Sequence, residues 1–351
     1  MTTGLGRAVP ITVLTGFLGA GKTTLLNRLL RQPALANTLV LVNEFGEIGL
    51  DHLLMQGVEG DVVELSGGCL CCAVRTDLIE TLSNLIAKRD AGQLSYERVI
   101  LETTGLADPI PVLHSLQTDP YLAMRFALDG VITVVDAATG EGALKHEEAV
   151  RQVAVADRIV LTKTDLPEAD EADIRRRISE FVPNATLLDA AKGEAEPERL
   201  FGITPWSSLG LPEVVGEWLA AEVKGERVGE HGRFRTTTIW SDAALPPMAF
   251  GMFVDLLKSG QGQRILRLKG LVKAADDPER PVVIHGVQHL FHPPVRLDSW
   301  PDDDHRTRIV VIGDGLDADV IAKLYDAFAG VPGAEPPDRS VLFATDDPIS
   351  R

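Results

Sequence analysis

Residues Ile11 to Thr24 read Ile-Thr-Val-Leu-Thr-Gly-Phe-Leu-Gly-Ala-Gly-Lys-Thr-Thr. An apolar run ends in G-x-x-x-x-G-K-T, Gly16 to Thr23, and Leu25, Leu26, Leu29 and Leu30 follow at helical spacing. Strand, glycine loop and helix in that order form the context of a phosphate-binding loop. Gly16, Gly19 and Gly21, with the small Ala20 between them, let backbone N–H groups close around phosphate oxygens with no large side chain in the way. The helix points its positive N-terminus at the same oxygens. Lys22 is placed to neutralise β/γ charge, and the Thr23 hydroxyl to ligate Mg²⁺, with Thr24 beside it.

Outward from this loop, apolar runs alternate with amphipathic stretches. Strands are expected at 11–14, 39–42, 62–65, 98–102, 131–135, 158–161 and 186–188. Helices are expected near 23–31, 74–89, 109–116, 143–155, 168–181 and 213–222. Several strands are continuous Val/Ile/Leu runs, as expected when both faces are covered. The alternation predicts an α/β P-loop NTPase domain with a mainly parallel sheet over residues 1–222. Residues 223–233 are polar and Gly-rich and read as a linker. A smaller α+β domain follows over 234–328. Its elements are a strand at 234–240, a helix at 247–258, strands near 264–273, 281–292 and 308–312, and a helix at 317–328. The Pro- and Asp-rich remainder, 329–351, reads as a tail.

Composition narrows the function. With 34 Lys and Arg against 51 Asp and Glu, the 351-residue chain has a net charge of −17. That argues against a non-specific nucleic-acid binder, whose affinity comes from neutralising phosphates. No stretch reaches membrane-spanning length, and Met1 to Pro10 does not resemble a secretory leader. All 3 cysteines fall in one cluster, which cannot form a disulfide framework. A reducing cytoplasm is the expected compartment.

Three further segments complete a nucleotide site. The run Arg98–Glu102 ends in an acid, where a carboxylate beside a phosphate loop holds Mg²⁺ through water or orients the attacking water. Glu102 is the favoured catalytic acid, with Asp136, at the end of the next strand, as its rival. Thr162-Lys163-Thr164-Asp165 follows a late strand and fits a purine site. The Lys163 stem would lie over the base, and Asp165 would accept hydrogen bonds from the guanine N1–H and exocyclic amine. Adenine cannot supply these, so the nucleotide is expected to be GTP.

Residues 65–73 read Leu-Ser-Gly-Gly-Cys-Leu-Cys-Cys-Ala. Thiolates at Cys69, Cys71 and Cys72 favour soft chemistry: Zn²⁺, Cu⁺ or iron–sulfur. Three thiolates leave a tetrahedral ion one ligand short. Glu44, Glu47 and Asp51, on the loop after the second strand, are candidates for the fourth. That loop is also where a nucleotide-sensing switch would lie. Cys69 and Cys72 also read as C-x-x-C, a redox pattern. His285, His289 and His292 do not read as a metal site, because on a strand His285 and His289 stand about 13 Å apart.

Together these residues resemble the CobW-type metallochaperone GTPases, relatives of the hydrogenase and urease nickel-insertion GTPases. The resemblance runs through Thr15–Thr24, Asn43-Glu-Phe-Gly-Glu47, Gly68-Cys-Leu-Cys-Cys72, Glu102-Thr-Thr-Gly-Leu-Ala-Asp-Pro109 and Thr162–Asp165. The segment 234–328 looks like the family's C-terminal domain. The resemblance implies a GTPase that binds Zn²⁺, or sometimes cobalt, at Cys69, Cys71 and Cys72 with acids such as Glu47, and delivers it to a client metalloprotein. It also implies Glu102 near the Mg²⁺–water shell. Two features depart from the pattern. Thr162 stands where many GTPases have Asn, and the linker carries only His231 where some members are His-rich. Homo-oligomerisation stays open. So do a non-catalytic GTP-dependent regulatory module, a cobalt chaperone for cobalamin synthesis, and a thiol redox protein.

Overall fold

The computed structural model describes residues 8–42, 62–64, 73–182, 185–202, 229–231, 234–288, 290–315 and 318–330. The first sheet has seven strands: β1 (Val9–Gly16), β2 (Thr38–Val42), β3 (Val62–Glu64), β4 (Arg98–Glu102), β5 (Phe126–Asp136), β6 (Arg158–Thr162) and β7 (Leu187–Asp189). They lie in the order β3-β2-β4-β1-β5-β6-β7, and every pairing is parallel.

Successive strand residues point to opposite faces, and here both faces are dry. Val13, Leu41, Leu101 and Leu161 pack with Leu82, Leu113, Val150 and Ile174 from the helices Ala73–Asp90, Ile110–Thr118, Glu147–Ala154 and Glu171–Phe181. Their neighbours Leu14, Val40, Ile100 and Val160 pack on the other side with Leu25, Leu26 and Leu29 of the Lys22–Leu30 helix. This is why the strands read as unbroken apolar runs. The expected helix at 143–155 is two helices, Gly140–Ala143 and Glu147–Ala154, separated by His146 in an extended conformation. The helix expected at 213–222 and the tail beyond Gly330 lie outside the described residues.

The second sheet is antiparallel. It contains β8 (Gly229–His231), β9 (Phe234–Ser241), β10 (Ile265–Ala274), β11 (Asp277–Val287), β12 (Leu290–Phe291), β13 (Val295–Arg296) and β14 (Thr307–Asp314). Their order is β12-β11-β10-β14-β9-β8, with β13 on β11. Within the expected linker, Gly229, Glu230 and His231 pair with Thr236, Arg235 and Phe234. One face of the sheet packs Leu268, Ile309 and Val311 against Phe253, Leu257, Ile321 and Tyr325 of the helices Pro247–Gln261 and Ala318–Ala329. On the other face, one end buries Leu271, Val283 and Val310 under Leu297 and Trp300. The other end meets the first domain, and Phe234, Leu266, Val287 and Ile312 join its core.

At that junction Asp157, just before β6, accepts from Arg267 at 2.8 Å and pairs with Lys269 at 3.0 Å. Its second oxygen accepts from the Val131 amide at 2.9 Å. Arg267 also donates to the Ala156 carbonyl. All three charged side chains are buried. The cost of desolvating them is recovered only while the set stays intact. Among the described residues no helix is long and apolar enough to cross a membrane.

Candidate nucleotide site

The sheet order reverses direction at β1, between β4 and β5, and ligands of open parallel sheets bind outside the strand ends at such a point. Four loops meet there, following β1, β4, β5 and β6. Gly16 ends β1 at φ 147°, and a Cβ added to it would stand 2.3 Å from the Val134 carbonyl oxygen of β5. Gly21 caps the Lys22–Leu30 helix at φ 91°. Only glycine satisfies both positions. Lys22 Nζ lies over the loop, donating to the Gly16 carbonyl at 2.9 Å and that of Phe17 at 3.4 Å.

Thr23 Oγ1 donates to Glu102 Oε1 at 2.7 Å, and Glu102 is buried. A hydroxyl and a carboxylate at the phosphate end of the loop make a hard oxygen pair of the kind Mg²⁺ takes alongside waters and phosphates, so these residues fit Mg²⁺–nucleotide. Beyond Glu102, Thr103 Oγ1 donates to Thr15 Oγ1 at 2.8 Å. A Cβ at Gly105 would sit 2.7 Å from the backbone nitrogen of Leu18, so this loop lies directly on the phosphate loop.

Asp136, the rival acid, does other work. It accepts from the Ala138 and Thr139 amides at 2.8 and 3.2 Å, from the Thr139 hydroxyl at 2.8 Å and from Lys163 Nζ at 2.6 Å. Burial pushes its carboxyl up, but these hydrogen bonds outweigh burial and hold it below the ordinary carboxylate value. Lys163, at φ 57°, also donates to the Gly19 carbonyl at 2.8 Å, tying the β6 loop to the phosphate loop. Thr162 Oγ1 donates to the Ala20 carbonyl at 2.7 Å. Thr164 donates to Asp189 at 2.8 Å, while Asp165 is exposed at the rim.

Two family models match this chain: the CobW/HypB/UreG nucleotide-binding domain over residues 10–189 and the cobalamin synthesis protein CobW C-terminal domain over 234–329. The chain belongs to the CobW/HypB/UreG family. Among curated relatives of this CobW-family protein, the zinc chaperone YjiA of Escherichia coli K12 is 30% identical over 327 residues, spanning 92% of this chain and 98% of its own. The zinc chaperone CobW of a Sinorhizobium species is 30% identical over 343 residues, 87% of this chain and 92% of its own. The crystal structure of Zn(II)-bound YjiA GTPase from E. coli aligns with a TM-score of 0.67 at 25% identity, covering 92% of this chain and 99% of that one.

The CobW-family fold thus brings Gly16, Gly19, Ala20, Gly21, Lys22, Thr23, Glu102 and Lys163 together, with Thr24 exposed on the first helical turn. Cys69, Cys71, Cys72, Glu44, Glu47, Asp51 and His289 lie outside the described residues. The strands leading to the thiol and acid loops are described. Val42 is in register with Glu102, and Glu64 with Val42. Two strand spacings, about 10 Å, therefore separate the end of β3 from Glu102.

Two groups at the site went unread in the sequence. Gln152 is buried and donates to the Gly105 and Ala107 carbonyls at 3.1 and 2.9 Å. Its only signal was an amide within the run Ala149-Val150-Arg151-Gln152-Val153-Ala154. Asp189 ends β7 and accepts from Thr164 and from the Ala191 and Lys192 amides. The histidines differ from expectation in another way. The β11–β12 turn brings His292 onto His285, rings stacked at 5.0 Å and 4°. Among the described residues no cluster of ligating side chains forms a metal site.

Proposed function

We propose that this CobW-family protein is a GTPase that carries Zn²⁺ on Cys69, Cys71 and Cys72, with Glu47 as a further ligand, and passes it to a client metalloprotein. The observation that carries the hydrolytic half is the 2.7 Å contact between Thr23 and the buried Glu102, at the mouth of a complete phosphate loop. Thr23, with Glu102 behind it, would hold Mg²⁺ when nucleotide is bound, and the ion would offset the negative charge of the phosphates. The rest falls to the chain. Backbone amides from Gly16 to Thr23 bind phosphate oxygens, and Lys22 exchanges its carbonyl contacts for the β- and γ-phosphates. Glu102 orients the attacking water. Asp165 accepts from the guanine edge, and Lys163 holds its own loop against Gly19. The products are GDP and inorganic phosphate.

The metal half is supported by the relatives' description as zinc chaperones and by the registers that end β2 beside Glu102 and β3 one strand further out. Zinc is the cargo. With Glu47 withdrawn, the three thiolates release it more readily than the closed four-ligand set would. A segment over 44–60 that responds to the γ-phosphate would supply the gate, so bound GTP and bound zinc tighten one another by the same factor. The thiols lose protons on binding, so affinity rises with pH. Multiple-turnover GTP hydrolysis that is lost in Lys22→Ala supports this reading. GTP binding without turnover would leave a regulatory module instead.

A further inference from the structure

Arg151 is used by none of the steps above, yet it stands between the two domains. Its Nη1 lies 3.4 Å from Asp108 Oδ2, in the loop after β4, and its Nη2 lies 3.6 Å from Asp314 Oδ2, at the end of β14 in the C-terminal sheet. All three side chains are a third or less exposed: 24% for Arg151, 32% for Asp108 and 21% for Asp314. One planar guanidinium suits two carboxylates on different edges. Neither distance reaches the roughly 2.7–2.9 Å of a settled charge-assisted hydrogen bond. The guanidinium is shared between the domains.

The loop on the nucleotide side is tightly held. Thr103 is bonded to Thr15, Gly105 leaves no room for a Cβ against Leu18, and Gln152 holds the Gly105 and Ala107 carbonyls. Gln152 follows Arg151 on the same helix, Glu147–Ala154. Asp108 Oδ1 accepts from the Ile110 amide at 3.0 Å and so sets the start of the Ile110–Thr118 helix. Near that helix's far end, Gln117 meets His292 of the C-terminal domain at 2.7 Å. The loop that follows Glu102 therefore reaches the second domain through both helices packed beside it. Burial raises the Asp108 carboxyl, while the Ile110 amide and Arg151 oppose that rise, so a displaced guanidinium would leave a poorly solvated anion.

We propose that Arg151 is a positioning residue that couples the loop after β4 to the C-terminal domain, with Asp108 and Asp314 competing for one guanidinium. Because Gly105 packs on Leu18, a shift of the phosphate loop on binding nucleotide carries the loop after β4 with it; the share held by Asp108 changes and Asp314 takes the complement. Nucleotide state and docking of the second domain bias each other, and the bias is reciprocal. A guanidinium with two alternative partners is the two-state element that such coupling needs. The inference rests on the GTPase reading above for its kinetic readout.

The test uses the full chain and the variants Asp314→Asn, Arg151→Gln, Arg151→Lys and the double variant Arg151→Gln/Asp314→Asn. Two quantities are read: kcat and KM for GTP, and amide exchange over β14 with GDP and with a non-hydrolysable GTP analogue. Asp314 belongs to the other domain, so a purely structural role there should leave kcat alone. The bridge predicts that Asp314→Asn changes kcat by about fivefold or more with KM within about twofold. It also predicts that the double variant is no worse than Arg151→Gln, that Arg151→Lys recovers only part of kcat, and that the nucleotide-dependent exchange at β14 disappears. An unchanged kcat in a folded Asp314→Asn protein, or additive effects in the double variant, would overturn it. If wild type does not hydrolyse GTP, the functional reading fails, and the exchange comparison alone decides the bridge: a nucleotide-dependent difference at β14 that Asp314→Asn abolishes keeps it, and no such difference removes it.

Discussion

Thr23 and Glu102, 79 residues apart, share a 2.7 Å hydrogen bond from hydroxyl to carboxylate. The contact exists because β1 and β4 are parallel neighbours in register, Leu14 opposite Glu102, so the residues that follow one strand meet the end of the other. Removing the carboxylate by Glu102→Gln keeps the shape and removes the charge. GTP turnover should fall by about 10²-fold or more, the scale of a lost charge-organising group, with nucleotide binding largely kept. Single-turnover kinetics beside a binding titration separate the two.

Gly105 faces Leu18 with no room to spare. Gly105→Ala would place a methyl 2.7 Å from both the nitrogen and the side chain of Leu18. The backbone part cannot relax without moving the phosphate loop. GTP affinity should drop, and adding Leu18→Ala should restore only part of it. Full rescue by Leu18→Ala would show that the side chain alone sets the limit.

At the base end, Asp165→Asn exchanges a two-bond acceptor for an amide that meets the guanine N1–H and amine poorly. GTP affinity should fall by about 10- to 100-fold relative to wild type, while Thr162→Val, which loses the bond to Ala20, should cost about 1 kcal/mol of stability. Competition of GTP against ATP in each variant distinguishes base recognition from loop support.

Between the domains, Asp157→Ala removes the carboxylate that faces both Arg267 and Lys269, each about 1% exposed. Breaking such a buried set costs about 3–5 kcal/mol. Denaturant unfolding of the full chain should show that loss, and a change under about 1 kcal/mol would mean water reaches the cluster.

The same junction makes the protein acid-sensitive. His292 is pushed down from 6.5 to about 4, chiefly by burial, with Asp157 pulling weakly the other way. His285 is also pushed well down by burial, by His292 and by Arg267. A neutral histidine in the fold and an ordinary one in the unfolded chain means that the unfolded chain binds more protons between those values. Stability is therefore complete above about pH 6.5 and falls as pH drops toward 4. For His292 this amounts to about 3 kcal/mol. Unfolding midpoints at pH 7.5 and 5 should differ in that direction, and His292→Gln should flatten the slope.

Much of this was legible in the sequence. The unbroken apolar runs placed most strands of the first sheet to within two residues, because a sheet covered on both faces leaves no alternation to misread; β5 begins at Phe126, five residues before the expected start at 131, where Asp129 and Gly130 interrupt the run. Gly16–Thr23, Glu102 and Lys163 were found because each sits at a strand end, where the chain turns at the ligand. The parts that stayed hidden depend on non-local packing. Arg267 and Lys269 alternate with apolar residues in β10, a pattern that ordinarily marks a solvated face. The other domain covers that face and supplies Asp157. The three histidines were judged by the distance from His285 to His289 along a straight strand, and the hairpin at Gln288 instead folds His292 onto His285. Gln152 and Arg151 gave no pattern, since their partners are backbone carbonyls and single acids far along the chain.

In the proposed function, GTP and zinc bind in support of one another. The most direct measurement is zinc affinity by chelator competition, with and without a non-hydrolysable GTP analogue, in wild type and in the Cys69→Ser/Cys71→Ser/Cys72→Ser variant. Zinc binding should be tighter with the analogue in wild type, by about 5-fold or more, with no such effect in the variant. Equal zinc affinity with and without nucleotide in wild type would contradict it.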